Sequence, residues 1–395
     1  MLKILLILQL LLIVPFKVSA EESFELWIEN YKKSVSQNIS EATIKRAFDN
    51  TKIDEKVLKL SQKQPEHVLT FWNYFEKMIN DRRIRIGQKF VERRNKELNK
   101  LEQQYNVDKH IVTALYAMET DFGRVTGHFD ILSSLITLSY SSNRKDFFKS
   151  QLTALLKSID RGVLDFNLKG SWAGAFGFFQ FMPVTYVIYS ADGNNDGKIN
   201  LFTFDDAFAS SFRYLSMIGY NKSEPCLIEV SIPNDFDWKV FKNNETHSVK
   251  EWLEIGILPV NSDDFSNTSL KAELIMPEGY LGPTFLGFNN FKILQSWNKS
   301  NYYVISACQL ADAFAYKPII ERKRFLTRAI SRPKAMRIQE KLMDLGLYNE
   351  GVDGVIGEKT RKALRQVQLE MGLPADGYPT DELFEIWKLN DEEIN

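Results

Sequence analysis

Cysteine and histidine are nearly absent: two cysteines, Cys226 and Cys308, and four histidines in 395 residues. That scarcity excludes a disulfide-built scaffold and a zinc site of the Cys/His kind. The two thiols admit either one disulfide in an oxidising compartment or two buried free cysteines. An excess of charge of one sign is also missing, because 50 basic side chains meet 51 acidic ones for a net charge of -1. Such a balance carries no electrostatic footprint for nucleic acid or an anionic membrane, whereas a neutral, hydroxyl-rich ligand suits it. A long apolar run occurs at the start, MLKILLILQLLLIVPFKVSA, where one lysine precedes leucine and isoleucine and the stretch ends on Val18-Ser19-Ala20. The run is shorter than the ~20 residues that span a bilayer, and it reads as a signal peptide cleaved near Ala20, before Glu21. No cysteine follows it to signal lipid attachment, so a soluble, exported chain is expected.

What is present is ordinary globular material, 44% hydrophobic and 13% aromatic, in a length that suits two or three domains. From Phe24 to Tyr105 the sequence is charged and helix-rich, with helical spacing in stretches such as His67 to Phe75 and a solvated helix face over 90–104. Asp108 is placed to cap a helix on which Ile111, Leu115, Met118 and Phe122 recur on one side, with Gly123 as its stop. Helical patterns continue over 131–140 and 147–159, and a helix pair is expected after an aspartate-rich loop at 192–200. Between 221 and 287 the composition turns to Asn, Asp and Ser around the strand-like Leu227 to Ile232, which predicts a small, mostly β insertion. Helical periodicity returns at Tyr303 to Ala315. Residues 331–387 form a separate unit with helices at 333–346, 358–372 and 380–389, and Val352-Asp353-Gly354-Val355 resembles Ala375-Asp376-Gly377-Tyr378. The fold class is mainly α (α+β).

Two stretches carry chemistry. Glu119 follows Leu115 by four residues and Val112 by seven, so it shares their apolar face. A carboxyl against such a wall has its charged form disfavoured and its pKa raised, as a general acid near neutral pH requires. The block Gly170 to Pro183, GSWAGAFGFFQFMP, combines three glycines and two alanines with aromatics. Small residues let a ligand approach the backbone, the aromatics present faces to sugar rings, and Ser171 and Gln180 offer hydrogen bonds. The same composition also suits close helix packing. A third stretch, Asp192 to Asn200, fits the first half of a calcium loop, with oxygen ligands at positions 1, 3 and 5, glycine at 6 and a backbone carbonyl at 7. Thr203 stands where a bidentate glutamate is usual, so a later carboxylate, Asp205 or Asp206, would have to close the loop.

In combination these motifs identify a resemblance. Glu119-Thr120-Asp121-Phe122-Gly123 fits E-T-x-x-G, and the 170–183 block fits G-S-x-A-G-A-x-G-x-x-Q-F-M-P, of the membrane-bound lytic transglycosylase B family. The resemblance spans Glu22 to Lys317 and implies a lysozyme-like core over about 108–220 and 288–317 within a catalytic region of 21–320, with the β-rich insertion at about 221–287. It implies cleavage of peptidoglycan glycan strands, with Glu119 as catalytic acid and base and Ser171, Gln180, Phe181, Met182 and Tyr214 lining the saccharide groove. Trp297-Asn298-Lys299-Ser300-Asn301-Tyr302-Tyr303 resembles the family's Y-N-x-S-x-x-Y, which adds Asn298 and Tyr303. Trp297 replaces the usual tyrosine, so stacking is expected there and a hydroxyl contact is not. The family's lengthened EF-hand-like loop implies structural calcium on Asp192, Asn194, Asp196, the Lys198 carbonyl and Asp206, and no organic cofactor. Residues 331–390, through Ile338-Gln339, Gly346-Leu347-Tyr348, Val352 to Gly357 and Thr360, resemble a peptidoglycan-binding module. The resemblance places the protein in the periplasm, with cell-wall synthesis or secretion complexes as candidate further partners.

One carboxylate is enough for this chemistry if the substrate's acetamido group supplies the nucleophile and its 6-hydroxyl closes a 1,6-anhydro ring. An ordinary glycosidase needs a second carboxylate across the bond, and Asp121 lies on another helix face. Hydrolysis by an unrecognised Asp or Glu, and a non-catalytic wall-binding scaffold, remain as alternatives at this point.

Overall fold

The computed structural model describes residues 23–62, 70–239, 245–261, 267–321 and 330–389; the proposed signal peptide and His67 to Leu69 fall outside them. Six helices form the amino-terminal part: Phe24–Val35, Glu41–Phe48, Glu55–Gln62, Phe71–Met78, Asp81–Arg93 and Asn95–Tyr105. Local chemistry sets several starts, because the side chains of Ser23, Ser40, Thr70 and Asn80 each accept a hydrogen bond from a first-turn backbone N–H. The charged stretch expected to be one solvated helix face divides at Arg94, and Leu98 on the second helix is fully buried.

The central helix, Lys109–Thr120, is capped by Asp108, whose carboxylate accepts from the His110 N–H at 2.7 Å. Val112, Ala114, Leu115 and Ala117 are wholly buried, because helices Asp81–Arg93 and Asn301–Phe314 pack on this one. Gly87 permits that approach: a Cβ there would lie 2.1 Å from the Phe314 ring. The helix stops at Thr120, earlier than Gly123, since Asp121, Phe122 and Gly123 all have positive φ. A left-handed aspartate and phenylalanine cost backbone energy. The salt bridges of Asp121 to Arg82, Arg83 and Arg124 hold the turn in place.

Helices Ile131–Ser141 and Lys145–Asp160 appear where the periodicity placed them. After the aspartate-rich loop one helix follows, Phe204–Met217, instead of a pair; the other, Pro183–Tyr189, precedes the loop and starts on a proline suited to a first turn. The insertion is a five-stranded antiparallel sheet in the order Thr246–Ser248, Lys271–Ile275, Thr284–Gly287, Leu227–Ser231, Leu258–Pro259. It has its own core around Val249, Trp252, Ile257 and Phe288.

Cys226 and Cys308 form a disulfide, which resolves the pairing left open by the sequence and joins the base of this sheet to helix Asn301–Phe314. The bridge closes a separation of 82 residues. In the loop-entropy account a closure of that length restricts the unfolded chain by about 4 to 5 kcal/mol.

The carboxy-terminal unit has helices Arg332–Asp344, Glu358–Glu370 and Asp381–Ile386 around Ile338, Leu342, Leu364, Val367 and Leu383. Its two Asp-Gly turns are built alike. Gln339 accepts from the Gly354 N–H and donates to Asp353, while Gln368 accepts from the Gly377 N–H and donates to Asp376. No helix among the described residues is long and apolar enough to cross a membrane.

Candidate active site

Glu119 sits in the last turn of the central helix and retains a little exposure at its surface, while its carboxyl lies deep among protein atoms. Tyr303 donates its hydroxyl hydrogen to Glu119 Oε1 at 2.6 Å, and the Trp297 indole N–H donates to the same oxygen at 2.9 Å. Oε2 accepts no hydrogen bond from the described residues, so one oxygen is anchored and the other is left to exchange a proton. Burial raises the Glu119 pKa above the usual carboxylate value, and the bonds from Tyr303 and Trp297 oppose the rise. Burial and then the Glu119 charge push the Tyr303 phenol well above its usual value, so it stays a donor.

Aromatic rings wall this carboxyl. Trp297 stacks on Tyr214 with centroids 5.1 Å apart, Tyr214 meets Tyr189 at 4.4 Å, and Phe181 stands edge-on to both Tyr214 and Trp297. Trp297 stacks on Tyr214, and in place of the family's tyrosine hydroxyl its indole N–H supplies a polar contact to Glu119.

Other candidates are placed differently. Ser171 accepts from the Ala175 N–H at 3.0 Å within its own turn, and Gln180 donates to the Thr126 and Gly177 carbonyls from a backbone with φ of 50°. Both therefore brace the glycine-rich block in this state. Met182 begins the Pro183 helix as a half-buried N-cap, and Asn298 accepts from the Ser300 N–H in the turn between two helices. The block is fastened to the central helix by Thr120, whose hydroxyl donates to the Phe178 carbonyl at 2.8 Å.

Tyr74, which sequence reasoning passed over as one aromatic in a helical stretch, packs against Tyr302 within electrostatic reach of Glu119. Burial and then the Glu119 charge raise its phenol to about 12. Nothing in the periodicity separates it from its neighbours Trp72 and Phe75. Asp121 turns away. Burial works to raise its pKa, but the Arg82 hydrogen bond and the charges of Arg82, Arg124 and Arg83 outweigh it and hold the carboxyl below its ordinary range. No second carboxylate among the described residues figures in the environment that sets the Glu119 pKa. A cavity of about 540 Å³ lies instead beside the disulfide, among Asp108, Tyr220, Cys226 and Gln309, and does not include Glu119.

In the 192–206 loop, Asp192 accepts from the Asp196 and Gly197 N–H groups, Asn194 from Asp196, and Asp196 from Lys198. Asp206, 1% exposed, accepts from the Gly193 and Asn200 N–H groups at 2.8 and 2.7 Å. Three carboxylates and an amide oxygen on one loop form a donor set suited to a hard cation. Their oxygens bond the loop's own backbone, and no group of three or more His, Cys, Asp or Glu among the described residues is placed as a metal site.

The helical fold with a small sheet, and an aromatic-walled site around one buried carboxyl, define a carbohydrate-cleaving enzyme of the lysozyme-like class. Residues 23–312 match the transglycosylase SLT domain and residues 331–386 the putative peptidoglycan-binding domain. The chain belongs to the lytic transglycosylases with this SLT domain and carries a carboxy-terminal peptidoglycan-binding domain. It is 30% identical over 271 residues to membrane-bound lytic murein transglycosylase B of Escherichia coli (strain K12), covering 67% of this chain and 73% of that one. The crystal structure of SltB3 from Pseudomonas aeruginosa in complex with NAG-anhNAM-pentapeptide is 33% identical, with a TM-score of 0.87, over 93% of this chain and 100% of that one. The Escherichia coli lytic transglycosylase Slt35 in complex with calcium is 26% identical, with a TM-score of 0.63, over 74% and 92%.

Proposed function

We propose that Glu119 is the single acid and base with which this lytic transglycosylase cuts the β-1,4 bond between N-acetylmuramic acid and N-acetylglucosamine. The observation that carries the reading is the division of labour on its carboxyl, with Oε1 held by Tyr303 and Trp297 and Oε2 unengaged by the described residues. The proton on Oε2 passes to the glycosidic oxygen as the bond from muramic acid C1 breaks, and the sugar's own acetamido oxygen bonds C1. The Glu119 carboxylate then removes the proton of the 6-hydroxyl, O6 bonds C1, and the acetamido oxygen leaves. No water is consumed, and the carboxyl ends protonated for the next cycle. Phe181, Met182, Tyr214 and Trp297 would form the saccharide wall, and Ser171, Gln180 and Asn298 would turn to the substrate from their present turns. Digestion of purified peptidoglycan tests the chemistry. Mass spectrometry should find 1,6-anhydromuramoyl ends, each lighter by one water than a reducing end; reducing ends alone would mean hydrolysis.

The catalytic region is taken as 21–320 and the wall-binding module as 331–390, a division supported by their separate cores. Export through a cleaved signal peptide would place both in the periplasm. We assign structural calcium to Asp192, Asn194, Asp196, the Lys198 carbonyl and Asp206; the cation would stabilise the loop that precedes helix Phe204–Met217. Ligand linkage amounts to about 2.7 kcal/mol when the free ion is at 100 times its Kd. Chelation should therefore lower the melting temperature by a few degrees, with recovery on adding calcium. An unchanged melt would remove the metal from the account.

A further inference from the structure

The segment Met276 to Gly282, between strands Lys271–Ile275 and Thr284–Gly287, is gripped from two sides. On the catalytic side the fully buried Glu278 accepts from the Phe71 N–H at 3.0 Å, at the start of the helix that carries Tyr74. The Tyr302 hydroxyl donates to the Pro277 carbonyl at 3.3 Å. From the carboxy-terminal module, Asp376 accepts from the Tyr280 N–H at 2.9 Å, and Arg361 reaches both the Met276 carbonyl and the Tyr302 side chain. Gly279 completes the fit: with φ of 76°, a Cβ there would meet Asp376 Oδ2 at 2.5 Å and the Tyr378 Cβ at 2.9 Å.

The repeat inside the module makes this contact specific. In both Asp-Gly turns the aspartate Oδ1 accepts from a glutamine and from the backbone N–H two residues on. Asp353 is exposed, whereas Asp376 is 3% exposed, its second oxygen turned to the catalytic region. Tyr302 is adjacent to Tyr303, the residue that anchors Glu119, so the module lies one residue from the catalytic hydrogen bond.

We propose that the peptidoglycan-binding module is a positioning element of the active site. Through Asp376 and Arg361 it holds the 276–282 segment, and through that segment it fixes Tyr302-Tyr303 and the Tyr74 helix around Glu119. It acts on the rate of bond cleavage as well as on wall retention. The inference rests on Glu119 being the catalytic acid and base. A tether alone raises the local substrate concentration and so alters the apparent KM. A positioning element alters kcat, because small misplacements of catalytic groups slow the chemical step.

The test uses the full-length chain and a soluble, peptide-bearing muropeptide oligomer. Asp376→Asn keeps the size of the side chain and its bonds within the module but sets an amide donor against the Tyr280 N–H. Tyr302→Phe breaks the link from the other side. Each should lower kcat by about 3- to 10-fold with KM changed less than about twofold. The double variant should be no slower than the slower single one, since residues acting through one path are not additive. Gly279→Ala, which wedges the interface from the catalytic side, repeats the measurement should Asp376→Asn unfold the module. Unchanged kcat in folded variants, or a rise in KM alone, overturns the proposal and leaves the module a tether. Undiminished cleavage by folded Glu119→Gln would instead overturn the reading of Glu119 on which the proposal rests.

Discussion

Glu119→Gln should lower glycan-strand cleavage by about 10³-fold, within the 10²- to 10⁴-fold range of general acid-base catalysis, and should leave the fold intact. The amide oxygen still accepts from Tyr303 and Trp297, so the two anchoring bonds survive. What is lost is the exchangeable proton on Oε2. The variant should also be more heat-stable than the wild type at neutral pH. Burial raises the folded-state pKa of Glu119 above the unfolded value of about 4.3, so the folded chain binds this proton more tightly. Its stabilising contribution is full below the unfolded pKa and is lost as the pH rises through the folded one. The gain of Glu119→Gln in melting temperature should therefore shrink as the pH falls toward 4. Retention of a comparable cleavage rate in the folded variant would remove Glu119 from the mechanism.

Tyr303→Phe should reduce kcat by about tenfold or more, since a hydrogen bond to a charged group contributes about 1.5 to 3 kcal/mol. The effect should fall on the first step, in which Glu119 gives up its proton and becomes a carboxylate. The Tyr303 hydroxyl favours the ionised form, so its loss leaves burial less opposed and moves the Glu119 pKa further up. The alkaline limb of the pH-rate profile, which reports loss of the Glu119 proton, should shift to higher pH, an outcome that a merely loosened packing would not produce. Trp297 still donates to Oε1, which keeps the loss smaller than that of Glu119→Gln. An unshifted profile would argue against this electrostatic role.

The elements most legible in the sequence were those specified locally. Asp108 and the spacing of Ile111 and Leu115 announce the central helix, and the Asp-Gly pairs announce the turns of the module. Its end was less legible, because Asp121 adopts a left-handed conformation held by arginines 39 residues away in sequence for Arg82 and 3 residues away for Arg124. Glu119 was legible as a motif, yet its partners were legible only through resemblance: Trp297 and Tyr303 lie 178 and 184 residues further on. Tyr74 carried no signal that distinguished it from core aromatics around it. The family motifs imply groove roles for Ser171, Gln180 and Asn298, but no local pattern announces that each also satisfies a nearby backbone group.

The Cys226–Cys308 bridge couples this centre to the redox state of its surroundings. Cys308 is on the same helix as Tyr303, five residues later, so the cross-link that fastens the β insertion also fastens the helix bearing the Glu119 anchor. In a reducing cytosol, glutathione and thioredoxin keep such a pair as two thiols. A chain that met its oxidant only after leaving that compartment would acquire the last constraint on its catalytic geometry on the side where the cell wall lies.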